Sequence, residues 1–244
     1  MGEAPANAAV RITALRKRYG TLVALDGVEL AVRAGESFAL VGANGAGKTT
    51  LIKCLLDLCS YETGAIELFG MDARLPYARR RLAYVPERFV PPHYLRGGEF
   101  LRALVRASDL PYDAERAAAM LAALELERAV LERPVRSLSK GMTQKLGLAA
   151  CFLLERDLVV LDEPMSGLDP AARVAVKSLL RRIAAEGRTL LFTSHVLADV
   201  EELCSSIAVL EKGAVRFRGE PAALCQQYAE ARLEQAFMRC IRDG

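Results

Sequence analysis

Between Ser37 and Leu58 the chain is first apolar, then glycine-rich, then apolar at helical spacing, and no other stretch limits the possible folds as much. Its centre, Val41 to Thr50, reads V-G-A-N-G-A-G-K-T-T. Gly42, Gly47, Lys48 and Thr49 satisfy the phosphate-loop spacing G-x-x-x-x-G-K-[ST]. The short run Ser37 to Val41 predicts a buried strand and Lys48 to Leu58 a helix, the context in which that spacing carries weight. Gly42, Gly45 and Gly47 let the backbone turn tightly and come close to a phosphate. Backbone N–H groups of such a loop ring an anion at a helix N-terminus. The expected contacts are Gly42, Asn44, Gly45, Ala46, Gly47, Lys48, Thr49 and Thr50. Lys48 would reach the β- and γ-phosphates, and Thr49 would hold Mg²⁺. The loop alone implies binding of a nucleoside triphosphate and leaves the purpose open.

The rest of the chain alternates around this stretch. Met1 to Ala9 is expected to be frayed. Val10 to Leu15 and Val28 to Val32 read as strands, the second with Val28, Leu30 and Val32 on one face. Tyr19, after Lys17 and Arg18, is by itself an edge-packing aromatic on a basic turn. Ala65 to Phe69, closed by Gly70, and Leu82 to Pro86 are further short strands. From Glu87 to about Arg136 the pattern turns helical, around Glu99 to Arg106 and Tyr112 to Leu131, and reads as a lobe inserted into an α/β core. Ser139 is placed to cap a helix running to about Glu155. Leu158 to Leu161 is the continuous apolar run of a strand buried on both faces. A helix from Pro170 to Glu186, strands Thr189 to Thr193 and Ile207 to Leu210, and a terminal helix over Leu224 to Ile241 complete the pattern. The fold class is thus α/β: a phosphate-loop parallel-sheet core with an N-terminal antiparallel β part and an inserted helical subdomain. Residues 1–244 form one domain, with core segments 10–86 and 146–244 and the insertion at about 87–145.

Composition excludes several classes. A chain of 244 residues that is 52% hydrophobic and 26% charged has ample material for a core and is not disordered. A net charge of +3 with scattered arginines gives no nucleic-acid footprint. The six cysteines lie far apart without a C-x-x-C pair, so buried thiols in a reducing cytosol are expected rather than disulfides or zinc. No basic segment followed by an apolar core marks a secretory signal, and no apolar run approaches the ~18 residues of a membrane span.

Asp162 and Glu163 end the Leu158 to Leu161 strand, where buried carboxylates are costly unless they meet a cation or a ligand crevice. Phosphate-loop nucleotidases hold Mg²⁺ between the loop hydroxyl and such an aspartate, here Thr49 and Asp162. Glu163 can then act on the attacking water, as a general base or as a positioner. His195 ends another strand, where a neutral imidazole can bond the γ-phosphate or be merely structural.

In this order the motifs resemble the nucleotide-binding domain of ATP-binding cassette (ABC) transporters, across nearly the whole chain. Leu138-Ser-Lys-Gly-Met142 is similar to the family signature, usually L-S-G-G-Q, and is the most family-specific element. The resemblance implies that Tyr19 stacks on adenine, that Glu163 is the catalytic glutamate, that Ser166 to Asp169 is the D-loop and that His195 is the switch histidine. It also implies that Ser139 and Gly141 close on the γ-phosphate bound by another subunit. A homodimer, or a heterodimer with a sister cassette, would sandwich ATP and Mg²⁺. Lys140 and Met142 depart from the signature, so their side-chain contacts are not carried over. Glu87 in Tyr84-Val-Pro-Glu87 replaces the usual glutamine and can contact Mg²⁺ or the water. The implied function is the ATP-hydrolysing subunit of an exporter, peripheral on the cytoplasmic face of the membrane and bound to a separate permease, with Glu87 to Tyr94 at that contact. Two alternatives are a soluble cassette ATPase of a biosynthetic assembly and a nucleotide sensor without turnover. One cassette and no added C-terminal regulatory domain are the expectation.

Overall fold

The computed structural model describes residues 7–242. Ten strands and eight α-helices follow in order: β1 (Ala8–Tyr19), β2 (Leu22–Arg33), β3 (Ser37–Val41), α1 (Lys48–Leu55), β4 (Thr63–Leu68), β5 (Met71–Asp72) and β6 (Leu82–Val85). Then come α2 (Gly97–Ala107), α3 (Ala114–Ala123), α4 (Lys140–Leu153), β7 (Leu158–Leu161), α5 (Pro170–Ala185), β8 (Thr189–Ser194), α6 (Leu197–Leu203), β9 (Ser206–Glu211), β10 (Ala214–Gly219), α7 (Pro221–Gln227) and α8 (Leu233–Arg242). They build two sheets, an antiparallel one in the order β2-β1-β4-β5 and a six-stranded one in the order β10-β9-β3-β8-β7-β6. In the larger sheet β9, β3, β8, β7 and β6 are all parallel, and only β10 is antiparallel.

Alternation explains why the central strands are continuously apolar. Phe38 and Leu40 of β3, with Leu158 and Val160 of β7, face the core shared with α1 and the antiparallel sheet. Ala39, Val41, Val159 and Leu161 face the opposite core, filled by α2 to α6. In β1 and β2, Val10 pairs with Val32, Ile12 with Leu30 and Leu15 with Val28, which puts the Val28, Leu30, Val32 face inward as the alternation predicts. Because β3, β6, β7 and β8 are parallel and in register, their carboxyl ends fall on one edge, where Val41, Val85, Leu161 and Ser194 deliver the loops that follow.

Several expected boundaries move. The frayed N-terminus does not include Ala8 and Ala9, which lie in β1 with Ala9 fully buried; the expectation for Met1 to Ala6 falls outside the described residues. The helix after the phosphate loop stops at Leu55 rather than Leu58, the Tyr112 to Leu131 helix stops at Ala123 and is followed by a 3₁₀ turn at Arg128–Leu131, and the Leu224 to Ile241 helix is two helices, α7 and α8. Each early stop has the same local cause. Asp57, Glu125 and Ala229 adopt left-handed φ of 57°, 51° and 52°. In each case the following N–H bonds back across the last turn, as in Leu58 N to the Lys53 carbonyl, Leu126 N to Leu121 and Glu230 N to Cys225. Strands β5 and β10 were not anticipated. Both return through two-residue turns with positive φ, Phe69-Gly70 and Lys212-Gly213.

Residues 87–145, the expected insertion, carry α2, α3 and the first residues of α4. Helix α4 runs without a break past position 145, so one helix spans the expected boundary between lobe and core. Phe89 is held there, with its ring centroid 5.7 Å from that of Phe100. A Cβ on Gly147 of α4 would stand 2.7 Å from the Phe89 ring. This anchorage leaves Val90 (75%) and Tyr94 (80%) on the surface.

Candidate active site

The phosphate loop joins β3 to α1 at the carboxyl edge of the parallel sheet. Two of its glycines are required for different reasons. A Cβ on Gly42 would lie 2.3 Å from the Leu210 carbonyl of β9, so close packing excludes any side chain. Gly47, the residue before α1, has φ 109° and its Cβ would meet the Ala24 carbonyl at 2.6 Å.

Lys48 is 8% exposed. Its Nζ donates to the Gly42 and Ala43 carbonyls at 2.6 and 3.2 Å. Burial holds this amine below the ordinary lysine range, and Glu163, Asp162 and Glu87 pull in the opposite direction. The three carboxylates and the ammonium therefore share one field.

A chain of polar contacts ties the strand ends together. Thr49 Oγ1 donates to Asp162 Oδ2 at 3.2 Å. Thr193 Oγ1, at the end of β8, donates to Asp162 Oδ1 at 2.7 Å and accepts the Glu163 N–H at 2.8 Å. Glu163 itself has a left-handed φ of 49°, which turns its side chain out of the strand path. Its Oε2 meets His195 Nδ1 at 2.8 Å, and the imidazole is otherwise largely exposed. Thr193 escaped the motif reading; its only signal was a hydroxyl among apolar residues at a strand's carboxyl end.

The phosphate loop with Lys48 and Thr49, and Asp162, Glu163 and His195, line one cleft of about 750 Å³ together with Tyr19, Thr50 and Glu87. Tyr19, at the end of β1, is 47% exposed and has Lys17 Nζ 4.8 Å from its ring centroid. The cleft thus runs from an aromatic face, past a ring of backbone amides and a buried cation, to a cluster of carboxylates. That sequence suits a base, a polyphosphate and an attacking water. Among the described residues no three His, Cys, Asp or Glu side chains group as a metal site. Magnesium does not need one, since it takes one or two carboxylates and completes its shell with phosphate and water oxygens. The hydroxyl of Thr49 and carboxylate of Asp162, already in contact and both hard donors, fit that requirement.

Ser139 and Gly141 do not line the cleft. Ser139 caps α4, its Oγ accepting the Met142 N–H at 3.2 Å. Gly141 lies against Leu168, and Lys140 lies against Gly167, so the signature packs on the 166–169 loop. Asp169 closes that loop by capping α5 through the Ala172 N–H at 2.9 Å.

Sheet order, loop and strand-end carboxylates define a phosphate-loop nucleotidase. The ABC transporter family profile matches residues 25–166, more than half of the chain. A Nod factor export ATP-binding protein I of Burkholderia orbicola is 38% identical over 220 residues, covering 87% of this chain and 71% of the relative. An uncharacterised ABC transporter ATP-binding protein of Nostoc sp. is 37% identical over 209 residues, covering 82% of this chain. The match spans 62% of that relative's length. A solved structure of the ATP-binding subunit of an ABC transporter superposes with a TM-score of 0.87 at 33% identity, covering 95% of this chain and 99% of the other. The chain belongs to the ABC transporter family, as an ATP-binding cassette of the ATPase type. Among the described residues no helix is long and apolar enough to cross a membrane.

Proposed function

We propose that the chain is the ATP-hydrolysing subunit of an exporter, that it works as a pair of cassettes, and that it drives a separate transmembrane permease from the cytoplasmic face of the membrane. The observation that carries the catalytic part is the Glu163 carboxylate, held by His195 at 2.8 Å next to an Asp162 bonded to Thr49. In this reading Tyr19 stacks on adenine. The backbone of Gly42, Asn44, Gly45, Ala46, Gly47 and Thr50 surrounds the phosphates, and the Lys48 ammonium leaves the loop carbonyls for phosphate oxygens. Thr49 and Asp162, with Glu87 of the same cleft, would hold Mg²⁺. When bound, that ion neutralises charge on the phosphates. Glu163 accepts the proton of the attacking water, and His195 orients the glutamate and senses the γ-phosphate.

Dimerisation is supported by the distance of the signature from the cleft in its own chain. A capped helix start offering Ser139 and the Gly141 N–H is an anion site that needs a phosphate from elsewhere, and a second cassette supplies it. Closure of the pair then moves the 87–94 segment, in which Phe89 is anchored while Val90 and Tyr94 are exposed and suit docking on an apolar permease helix. The domain unit is one cassette with core segments 10–86 and 146–244 and a coupling lobe at about 87–145. The export direction rests on likeness to the Nod factor export protein. Purification from detergent-solubilised membranes tests the assignment: a polytopic protein that co-elutes and raises phosphate release supports it, and a soluble assembly partner in its place overturns it.

A further inference from the structure

The cysteines are not all far apart. At the end of α1 the sulfurs of Cys54 and Cys59 lie 3.4 Å from each other. The left-handed turn at Asp57 and the Leu58 N–H bond to Lys53 bring the chain back on itself, which seats Cys59 beside the last helical turn. Cys54 is 1% exposed, whereas Cys59 keeps access to solvent. Tyr19 lies near the same spot, where the Cys59 thiol, with burial, raises the pKa of its phenol. Lys17, buried and 3.9 Å from Glu62, completes the surroundings. One aromatic therefore borders both the cleft and a dithiol.

We propose that Cys54 and Cys59 form a reversible disulfide that weakens nucleotide binding through Tyr19. The oxidant is a low-molecular-weight disulfide. Cys59, the sulfur with solvent access, attacks it as the thiolate, expels one small thiolate and becomes a mixed disulfide. Cys54 passes its proton to that leaving group and attacks the Cys59 sulfur, expelling the second small thiolate, which takes up the proton that Cys59 had lost. Two protein S–H groups become one S–S bond, and the small disulfide becomes two thiols. Burial pushes the Cys54 thiol up to about 12, and the nearby Lys17 charge opposes that effect. Bond formation draws the sulfurs from 3.4 Å to about 2.05 Å. The segment that moves leads to Glu62, whose N–H bonds the Arg16 carbonyl at 3.0 Å and whose carboxylate accepts the Arg18 N–H at 2.8 Å. The end of β1 that carries Tyr19 is thus tied through Glu62 to the segment that carries Cys59.

The test equilibrates the full chain with glutathione at fixed oxidised-to-reduced ratios, maps thiols by mass tagging, and measures binding of a fluorescent ATP analogue. The expected result is a linked Cys54–Cys59 peptide with affinity reduced about fivefold or more, the lower end of what an aromatic–base stack supplies, and restored by dithiothreitol. Cys59→Ser and Cys54→Ala each hold the reduced affinity across the series. No linked peptide, linkage with unmoved affinity, or a Cys59→Ser protein that still loses affinity overturns the proposal. The inference rests on Tyr19 as the base contact, which Tyr19→Ala tests separately on reduced protein; unchanged affinity there removes the route. Disulfide mapping needs no nucleotide, so the two failures are distinguishable.

Discussion

Glu163 shows how much of the site is decided at single residues. Its φ of 49° places a non-glycine in left-handed backbone, a conformation costing about 1–3 kcal/mol that persists only where neighbours over-determine it. Thr193 provides one such constraint, accepting the Glu163 N–H while donating to Asp162. Thr193→Val keeps the shape and removes the partner of the Glu163 N–H and of Asp162 Oδ1, leaving Asp162 only its Thr49 contact, so we expect a loss of about 1–3 kcal/mol in urea denaturation. Unchanged stability would show that the bridging hydroxyl is dispensable. Glu163→Gln keeps the fold and nucleotide binding but lowers phosphate release by about 10²–10⁴-fold; undiminished release would remove Glu163 from the chemistry. Lys48 adds a signed pH dependence. Burial depresses its pKa, so without nucleotide its charge opposes folding below that pKa, and stability rises as pH climbs from the folded toward the ordinary lysine value. Nucleotide affinity has the reverse sign, because phosphate requires the ammonium. It should fall with rising pH before an ordinary lysine would titrate, and binding that stays flat to that range would contradict the assignment.

Helices α4 and α5 begin where their sequence signals say, and several helices end where those signals are silent. Ser139 and Asp169 cap α4 and α5 as short polar residues do, each accepting an N–H three residues on. Helix ends lack the corresponding mark, because the left-handed residue that terminates α1, α3 and α7 is Asp57, Glu125 or Ala229 instead of glycine. The hairpin turns Phe69-Gly70 and Lys212-Gly213 hide β5 and β10 in the same way, since the usual first residue is Asn, Asp or Gly. Glu125→Gly removes a left-handed side-chain penalty of about 1–2 kcal/mol against a glycine entropy cost of about 0.5–1 kcal/mol. A gain of about 0.5–1 kcal/mol is expected on thermal unfolding, and a loss would mean that the Glu125 side chain contributes elsewhere. The packing of Phe89 on Gly147 is the element-scale feature with the largest functional reach. Gly147→Val forces the ring off α4. Phosphate release by the cassette alone should persist while transport by the reconstituted complex is lost; intact transport would sever the 87–94 segment from coupling.

For the whole molecule, the parallel sheet and the placement of the signature matter more than any one contact. Parallel pairing with matched register brings four strand ends to one edge, and the loops leaving them carry the phosphate loop, Glu87, Asp162, Glu163 and His195. Ser139 does not line the cleft at that edge, so under the proposed function one copy presents two incomplete halves. With hydrolysis blocked by Glu163→Gln, ATP should convert the protein to a dimer on size exclusion, and adding Ser139→Arg should abolish this by placing a bulky side chain at the joint. A double variant that still dimerises on ATP would exclude the proposed contact.

The chain's own order of residues determined the phosphate loop, the doubly buried strands, the strand-end carboxylates and the family, because each is written in local spacing: glycines at fixed offsets, alternation, or an unbroken apolar run. Only the tertiary structure decided what those residues touch. Thr193 reaches Asp162, His195 reaches Glu163, Cys59 returns to Cys54, and Ser139 stays outside the cleft. These contacts span up to 32 positions along the chain, and they arise from sheet order and from helix ends set by packing, neither of which has a residue-level mark. The sequence therefore named the chemistry, and the fold decided which of its parts meet within one copy.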